Sequence, residues 1–400
     1  MNVLYLTFWG INEGIAQSTV IPHIKILSEF NSVKKIHLSS IERDKKNIKN
    51  ISDQKINHTP LISKRFNSSL LELINDFIVF PLKLRKICND NKVNFIIVRG
   101  VCAGSIAWIL HKLTNIPFYV ESFEPHADYM LESKMWSKLS LKFFFQKFFE
   151  KKLKKDASII MPVSNNYKKK LVFEGIDEKK IDVIPCCVDL IKFKRNPSMR
   201  KSKRKELKIP ENAIVGVYAG KFGGIYYDDK AFSIFKKCQK IFDDNFFLII
   251  LSPENKTSII NRLKKHDFPI KSSFINLVPH SKIPNYLSAA DFAFSLQKPS
   301  PSKKYLSPIK NGEYWASGLP ILITEGVGDD SDIIKFNKTS GVNLDYSNFD
   351  ESLNKMKLIL KTYTKETIIE NNFKIASDER NFETTYKCYK KIIQYEAIKN

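Results

Sequence analysis

The sequence predicts an α/β protein made of two doubly wound parallel sheets, and three observations carry that prediction. Short β-rich apolar runs alternate with longer amphipathic stretches through both halves of the chain. A lysine-rich, apolar-poor stretch, Lys192 to Lys208, ends at Pro210-Glu211-Asn212 and interrupts the rhythm once. The length of 400 residues also exceeds what one hydrophobic core usually supports. The expected boundaries are a first domain over 1–190, a linker over 191–211, a second domain over 212–365 and a helical segment over 366–400.

Taken in order, Val3 to Phe8 reads as a strand, Ser18 to Phe30 as a helix and Ile36 to Ser39 as a strand, which is a βαβ unit. The runs Phe95 to Val98, Phe118 to Val120 and Ser158 to Val163 are short, β-rich and bounded by Gly, Pro or Asn, as buried parallel strands are. Beyond the lysine-rich stretch the pattern restarts with strands at Ile214 to Tyr218, Phe246 to Leu251, Phe274 to Val278, Phe292 to Leu296 and Pro320 to Thr324. Helical segments such as Lys230 to Phe242 and Ile283 to Ala290 lie between them. Lys365 to Ile398 is helical in character throughout.

Composition narrows the class. Hydrophobic residues at 43% and charged residues at 27% suit a globular protein and exclude a largely disordered one. No apolar run reaches eighteen residues, and the opening Met1 to Gly10 reads as a strand without a basic leader, so a cytoplasmic location is expected. The six cysteines, Cys88, Cys102, Cys186, Cys187, Cys238 and Cys388, lack zinc-site or disulfide-framework spacing. The net charge of +23 fits nucleic acid, an anionic membrane surface or phosphorylated substrates equally. Only nine of the 65 basic residues are arginine, however, and sequence-reading nucleic-acid proteins depend on arginine, so nucleic acid is set aside. A compositional drift toward Lys, Asn and Ile explains the excess as well.

The most informative stretch runs from Ser307 to Ile321. Pro308 suits the first turn of a helix, and Gly318 followed by Pro320 is the matching stop signal. A helix start presents unpaired N–H groups that favour an anion, and Lys310 and Glu313 lie within its first turns. The pattern Pro308-x-Lys310-x-x-Glu313-Tyr314-x-Ala316-x-Gly318-x-Pro320 resembles the donor-binding motif of the retaining nucleotide-sugar glycosyltransferases of family 4. That resemblance implies a GT-B fold, two Rossmann-like domains facing a cleft with the last helix crossing back to the first. It also implies transfer of a sugar from a nucleotide sugar without a bound metal or other cofactor. Glu313 would accept hydrogen bonds from the ribose hydroxyls, since a carboxylate is a bidentate acceptor for a diol. Many members carry a second glutamate eight residues earlier to hold the sugar; here that position is Tyr305.

A second constellation opens the second domain, where Val217 to Tyr227 is a strand running into a glycine-rich turn, Gly220-Lys221-Phe222-Gly223-Gly224. Such a turn brings backbone amides close to a diphosphate, and a lysine beside it adds charge. It resembles the Gly-Arg/Lys loop of family 4, with Lys221 in the first basic position. Lys310 is the candidate for the second cation and Lys230 a weaker one. The family's base-contacting loop corresponds to Val278-Pro279-His280. Val183-Ile184-Pro185-Cys186-Cys187-Val188-Asp189 stands where members carry Ile-Pro-Asn-Gly-Val-Asp.

In the first domain, Glu121, Glu124 and His126 follow a strand, which is where open parallel sheets place reacting groups. The resemblance gives His126 the donor sugar's hydroxyls, with Glu121 and Glu124 as acceptor-orienting groups. The loop Gly10 to Ser18, containing Gly14, resembles the acceptor-side loop and lacks a dinucleotide fingerprint. Arg99 reads either as a holder of an acceptor phosphate or as a rim salt bridge. Asp329-Asp330-Ser331-Asp332 reads as N-capping of a helix in preference to a metal site. Lys138 to Lys152 combines five phenylalanines with lysines and reads either as a membrane-interface helix or as a core-packed one. The expected function is therefore a hexosyltransferase-type enzyme moving sugar to a saccharide or lipid-linked acceptor, in lipopolysaccharide, capsule or O-antigen synthesis. The alternatives are a non-catalytic nucleotide-sugar-binding protein or an epimerase on the same scaffold.

Overall fold

The computed structural model describes residues 1–43, 48, 51, 53–63 and 75–399, and the chain divides into two compact units. The first comprises Met1–Leu131, Trp136–Cys186 and Phe382–Asn400; the second comprises Glu132–Met135 and Cys187–Asn381.

The first unit is built on β1 (Asn2–Thr7), β2 (Lys35–Glu42), β3 (Ile56–His58), β4 (Leu61–Ile62), β5 (Phe95–Arg99), β6 (Phe118–Phe123) and β7 (Ile159–Pro162). Their order is β3-β2-β1-β5-β6-β7, with β4 pairing farther along β2, and every pairing is parallel. Val3, Leu4, Tyr5 and Leu6 are all fully buried, so both faces of β1 are covered and the run has no polar alternation. The helix Glu383–Lys399 completes this core. Its Tyr389, Ile392 and Ile393 pack with Tyr5, Ile97 and Tyr119. It is pinned at its edges by Lys391 on Asp182 at 2.8 Å, Tyr386 stacked on Phe30 at 4.8 Å and Tyr119 donating to Glu396.

The second unit contains β8 (Ile214–Ala219), β9 (Phe246–Leu251), β10 (Ser273–Asn276), β11 (Phe292–Ser295), β12 (Ile321–Thr324) and β13 (Gly341–Leu344), in the order β10-β9-β8-β11-β12-β13 and parallel throughout. Alternate residues divide between two cores. Val215, Val217, Ile249 and Ala293 face the helices 283–289 and 309–316, whereas Tyr218, Leu248, Ile250 and Phe294 join an aromatic cluster with Phe232, Phe235 and Phe246.

Two expected segments differ. Residues 191–211 are no extended linker: they contain the helices Leu190–Phe193 and Pro197–Glu206, and the chain enters the second unit at Cys187. The second helix is held by Arg200 and Arg204, which bind Asp291 at 2.7 Å each and donate to the last carbonyls of the helix Ile283–Ala289. The terminal helical segment is also split. Lys365–Glu379 belongs to the second unit, and only from Phe382 does the chain rejoin the first.

Candidate functional site

In the second sheet the chain winds outward from β8 to β10 and then returns to lay β11 on the other side of β8. The crevice beyond the carboxyl ends of β8 and β11 is thus the topological switch point, where open α/β sheets bind ligands. Three segments meet there. Gly220-Lys221-Phe222-Gly223-Gly224 leaves β8, Gln297 follows β11, and the helix Ile309–Ala316 starts after Pro308. The glycine turn folds back on the end of β11 through Tyr227 N–H to the Leu296 carbonyl (3.2 Å) and Lys298 N–H to the Ile225 carbonyl (2.9 Å). Lys303, buried, donates to the same Ile225 carbonyl at 2.8 Å, and burial beside Lys298 lowers its pKa to about 7.

The central feature is Lys310. Its amine is buried and has no hydrogen-bond partner among the described residues. It lies over the rings of Tyr226 (4.2 Å) and Tyr218 (5.3 Å). Gly220 lies beside that amine, a Cβ built on it standing 2.8 Å away, and its φ of 147° is a backbone conformation that suits glycine. Burial lowers the lysine pKa to about 8, with Glu313 opposing. Such a cation is incomplete without an anion. Lys221 is exposed on the same turn, its carbonyl accepting from Tyr218 Oη. Lys230 instead sits over Tyr227, Tyr346 and Phe349, so the weaker candidate is occupied elsewhere.

Glu313 lies one turn into the helix and is 7% exposed. Its Oε1 is 2.6 Å from His280 Nε2, and His280 Nδ1 is 3.1 Å from Lys192 Nζ. The helix is fixed at both ends. Gly318, at φ 71°, ends it, with N–H donation to Trp315 (2.8 Å) and from Leu319 to Tyr314 (2.9 Å). Beneath its start, Arg380 donates to Ser307 and pairs with Asp330, while Asn311 donates to Asp330 at 2.7 Å. Burial raises the Asp330 pKa, and Arg380 and Asn311 oppose that rise. This corrects the expected role of the acidic cluster. Asp329 occupies the N-cap without a side-chain capping bond, and Asp330 belongs to a buried ion pair.

The first unit treats the remaining candidates unevenly. Glu121 is fully buried and Arg99 is 4% exposed. Arg99 donates to Glu121 Oε2 at 2.9 Å, Tyr5 Oη donates to the same oxygen at 2.9 Å, His23 Nδ1 lies 3.0 Å from it, and Tyr389 Oη donates to Oε1. Burial works against ionisation of Glu121, but His23 and Arg99 hold its pKa down to about 2. Arg99 and Glu121 therefore tie the terminal helix to the sheet and are not acceptor-side groups; the rim salt bridge is a core one. Gly14 opens the helical segment that follows β1 at this sheet's own switch point, where a Cβ would meet nothing within 4 Å.

His126 begins the helix His126–Glu132 just past β6. Its Nδ1 is 3.6 Å from Glu124, its ring meets Trp136 edge-on at 5.5 Å, and its side chain is 22% exposed. Burial opposes its protonation, but Cys102 and Glu124 outweigh it and raise the pKa. Among the first-unit candidates, His126 and Glu124 are the part-exposed polar pair. Glu150, which the sequence did not single out, accepts from Ala127 N–H at 2.8 Å below them, and burial pushes it up to about 7.

No family model matches the chain, and no curated protein matches its sequence. Solved structures do match in fold. Sucrose-phosphate synthase from Thermosynechococcus elongatus superposes with a TM-score of 0.77 at 13% identity, covering 100% of both chains. Anabaena Alr3699/HepE in complex with UDP gives 0.72 at 14%, covering 99% of this chain and 100% of that one. The fold is GT-B. WaaG, a glycosyltransferase involved in lipopolysaccharide biosynthesis, also matches, at 0.70 and 12% over 97% of this chain and 98% of its own. At these identities the likeness is one of fold.

Sequence reasoning missed Lys192, Gln297 and Lys303 at the switch point. Gln297 Oε1 is a second buried polar atom there without a partner among the described residues. Its signal was positional, as the first residue pair beyond a central strand. Lys192 carried no signal, because it is 88 residues from His280 and stood in a run of lysines.

Proposed function

We propose that this chain is a retaining glycosyltransferase of the family 4 type that takes a sugar from a nucleotide sugar. The observation that carries the reading is the buried, unpartnered Lys310 amine against Gly220 at the switch point, with Glu313 one turn farther along the same helix. A diphosphate would supply the missing counter-charge, and the turn's amides and the helix start would add hydrogen bonds. In the reaction the bond between the anomeric carbon and the phosphate oxygen breaks, its electron pair leaves with the nucleoside diphosphate, and the sugar becomes oxocarbenium-like. Lys310 and Lys221 stabilise that departing charge without a bound metal. Glu313 takes the ribose hydroxyls, Ser307 and Pro308 shape the helix entry, and His126 serves the sugar.

The acceptor in this reading is a saccharide or lipid-linked saccharide of surface glycan synthesis, reached on the cytoplasmic side. The exposed faces of Leu141, Phe144 and Phe148, set among lysines, support contact with an anionic membrane. Among the described residues no helix is long and apolar enough to cross one. A panel of nucleotide sugars, assayed for transfer to membrane extract, tests the proposal. Glu313→Ala is expected to raise donor KM or lower kcat at least about tenfold; unchanged kinetics would remove the assignment. Tyr305, in place of a sugar-holding glutamate, favours a second reading, a nucleotide-sugar-binding protein without turnover. Tight donor binding with no transfer or hydrolysis would select it.

A further inference from the structure

Resting on that reading of Glu313, we propose that Lys192 and His280 form a positioning relay that presets the Glu313 carboxylate for a vicinal diol. The three side chains come from separate segments, the short helix Leu190–Phe193, the turn after β10 and the helix Ile309–Ala316. Lys192 Nζ stands 3.1 Å from His280 Nδ1, and His280 Nε2 stands 2.6 Å from Glu313 Oε1.

An ammonium group has only donors, so Lys192 occupies the Nδ1 lone pair and leaves the ring proton on Nε2. That N–H then donates to Glu313 Oε1. Oε2, with no hydrogen-bond partner among the described residues, and the remaining lone pair of Oε1 stay available to two hydroxyls.

Each relay member is itself fixed. Asp189 caps the short helix by accepting from Ile191 N–H (3.1 Å) and Lys192 N–H (2.9 Å). The Phe193 carbonyl accepts from Ser317 Oγ at 2.9 Å, which binds that helix to the far end of the Glu313 helix. The His280 ring packs on Phe193 with centroids 5.6 Å apart. A glutamate in the first turns of a helix is otherwise free to rotate, and every rotamer it visits reduces its value as a diol acceptor. The relay removes that freedom before ligand arrives. Lys192 and His280 thus act through Glu313 and need not touch the ligand.

The test uses the full chain with UDP, ADP and GDP, each compared with its 2′,3′-dideoxy form, and reads dissociation constants by calorimetry. Wild type is expected to prefer the diol form of whichever nucleotide it binds by about tenfold or more. Glu313→Ala, His280→Ala and Lys192→Met should each collapse that preference ratio by about fivefold or more, whatever each does to affinity for the dideoxy form. His280→Gln, whose side-chain N–H can replace the Nε2 donor, should recover most of it. A variant that misfolds would lose both forms together, so the preference ratio reports the relay and not stability. If Glu313→Ala loses the preference and His280→Ala and Lys192→Met both keep it, the relay is wrong and the ribose assignment stands. If wild type binds none of the three nucleotides, or binds with no preference for the diol, the functional reading fails and the relay with it.

Discussion

Lys310 shows how a single residue can oppose the stability of the fold that buries it. Its amine is buried without a hydrogen-bond partner among the described residues, so burial disfavours the charged form against the pull of Glu313, and its pKa lies near 8, below its ordinary value of 10.5. Between those two values the unfolded chain binds the proton more readily than the folded one, so this group's cost to stability is full below about pH 8 and is relieved as pH rises toward 10.5. Lys310→Met should therefore stabilise the protein at pH 7, by at most about 3 kcal/mol, with the gain shrinking as pH climbs through that window. Denaturant melts from pH 6 to pH 10 would show it, and an equal gain at both ends would contradict the account. The same substitution should abolish most donor turnover. The placing of Lys310 and Glu313 on one short helix was legible because the motif is local, a proline, a lysine, a glutamate and a glycine within a dozen residues. Arg99 and Glu121 were misread because a charged residue at a strand's end looks the same in sequence whether it meets solvent or a partner in the core.

At the scale of elements, most parallel strands were legible, since burial on both faces makes them unbroken apolar runs, but β2 and β6 run three residues past Ser39 and Val120, where the apolar run gives way to polar residues. The strands β3, β4 and β13 were not legible, because β3 and β4 have only three and two residues and β13, Gly341–Leu344, carries a glycine and an asparagine that break its apolar run. The helix Pro197–Glu206 passed for a linker for a related reason: it buries no residue, so it has no apolar face to betray it. The helix Leu141–Asp156 fits both of its readings on different faces. Phe143, Phe149 and Leu153 are buried, while Leu141, Phe144 and Phe148 are 76%, 56% and 50% exposed in the company of Lys142, Lys151 and Lys155. Vesicles containing anionic lipid should float with wild type at moderate salt and leave the double variant Phe144→Glu, Phe148→Glu behind, with donor binding unchanged. Equal flotation of the two proteins would place the membrane contact elsewhere or remove it.

On the scale of the whole molecule, the two-sheet plan followed from length and rhythm, but the point where the chain changes unit did not, because nothing in composition distinguishes Cys186 from Cys187. The network around Glu121 is where the late and early parts of the chain are fastened. Its carboxylate titrates near 2 in the fold against an ordinary value of 4.5, so the stability it contributes is present above about pH 4.5 and is lost as pH falls toward 2. Urea midpoints should drop over that interval, and Glu121→Gln should flatten the slope while costing roughly 3–5 kcal/mol at pH 7, since it leaves Arg99 buried without its partner. A variant as stable as wild type at pH 7 would show that the ion pair contributes nothing.

Because Tyr389, Ile392 and Ile393 fill the core of the first unit, that unit is discontinuous in sequence, whereas the second runs almost without interruption from Cys187 to Asn381. During synthesis the later-made half can thus close while the earlier-made half still waits for its last helix, with the apolar seat for that helix uncovered. The first unit therefore cannot finish before nearly all of the second has been made, and the interval before the helix arrives is when its uncovered apolar seat most invites a chaperone.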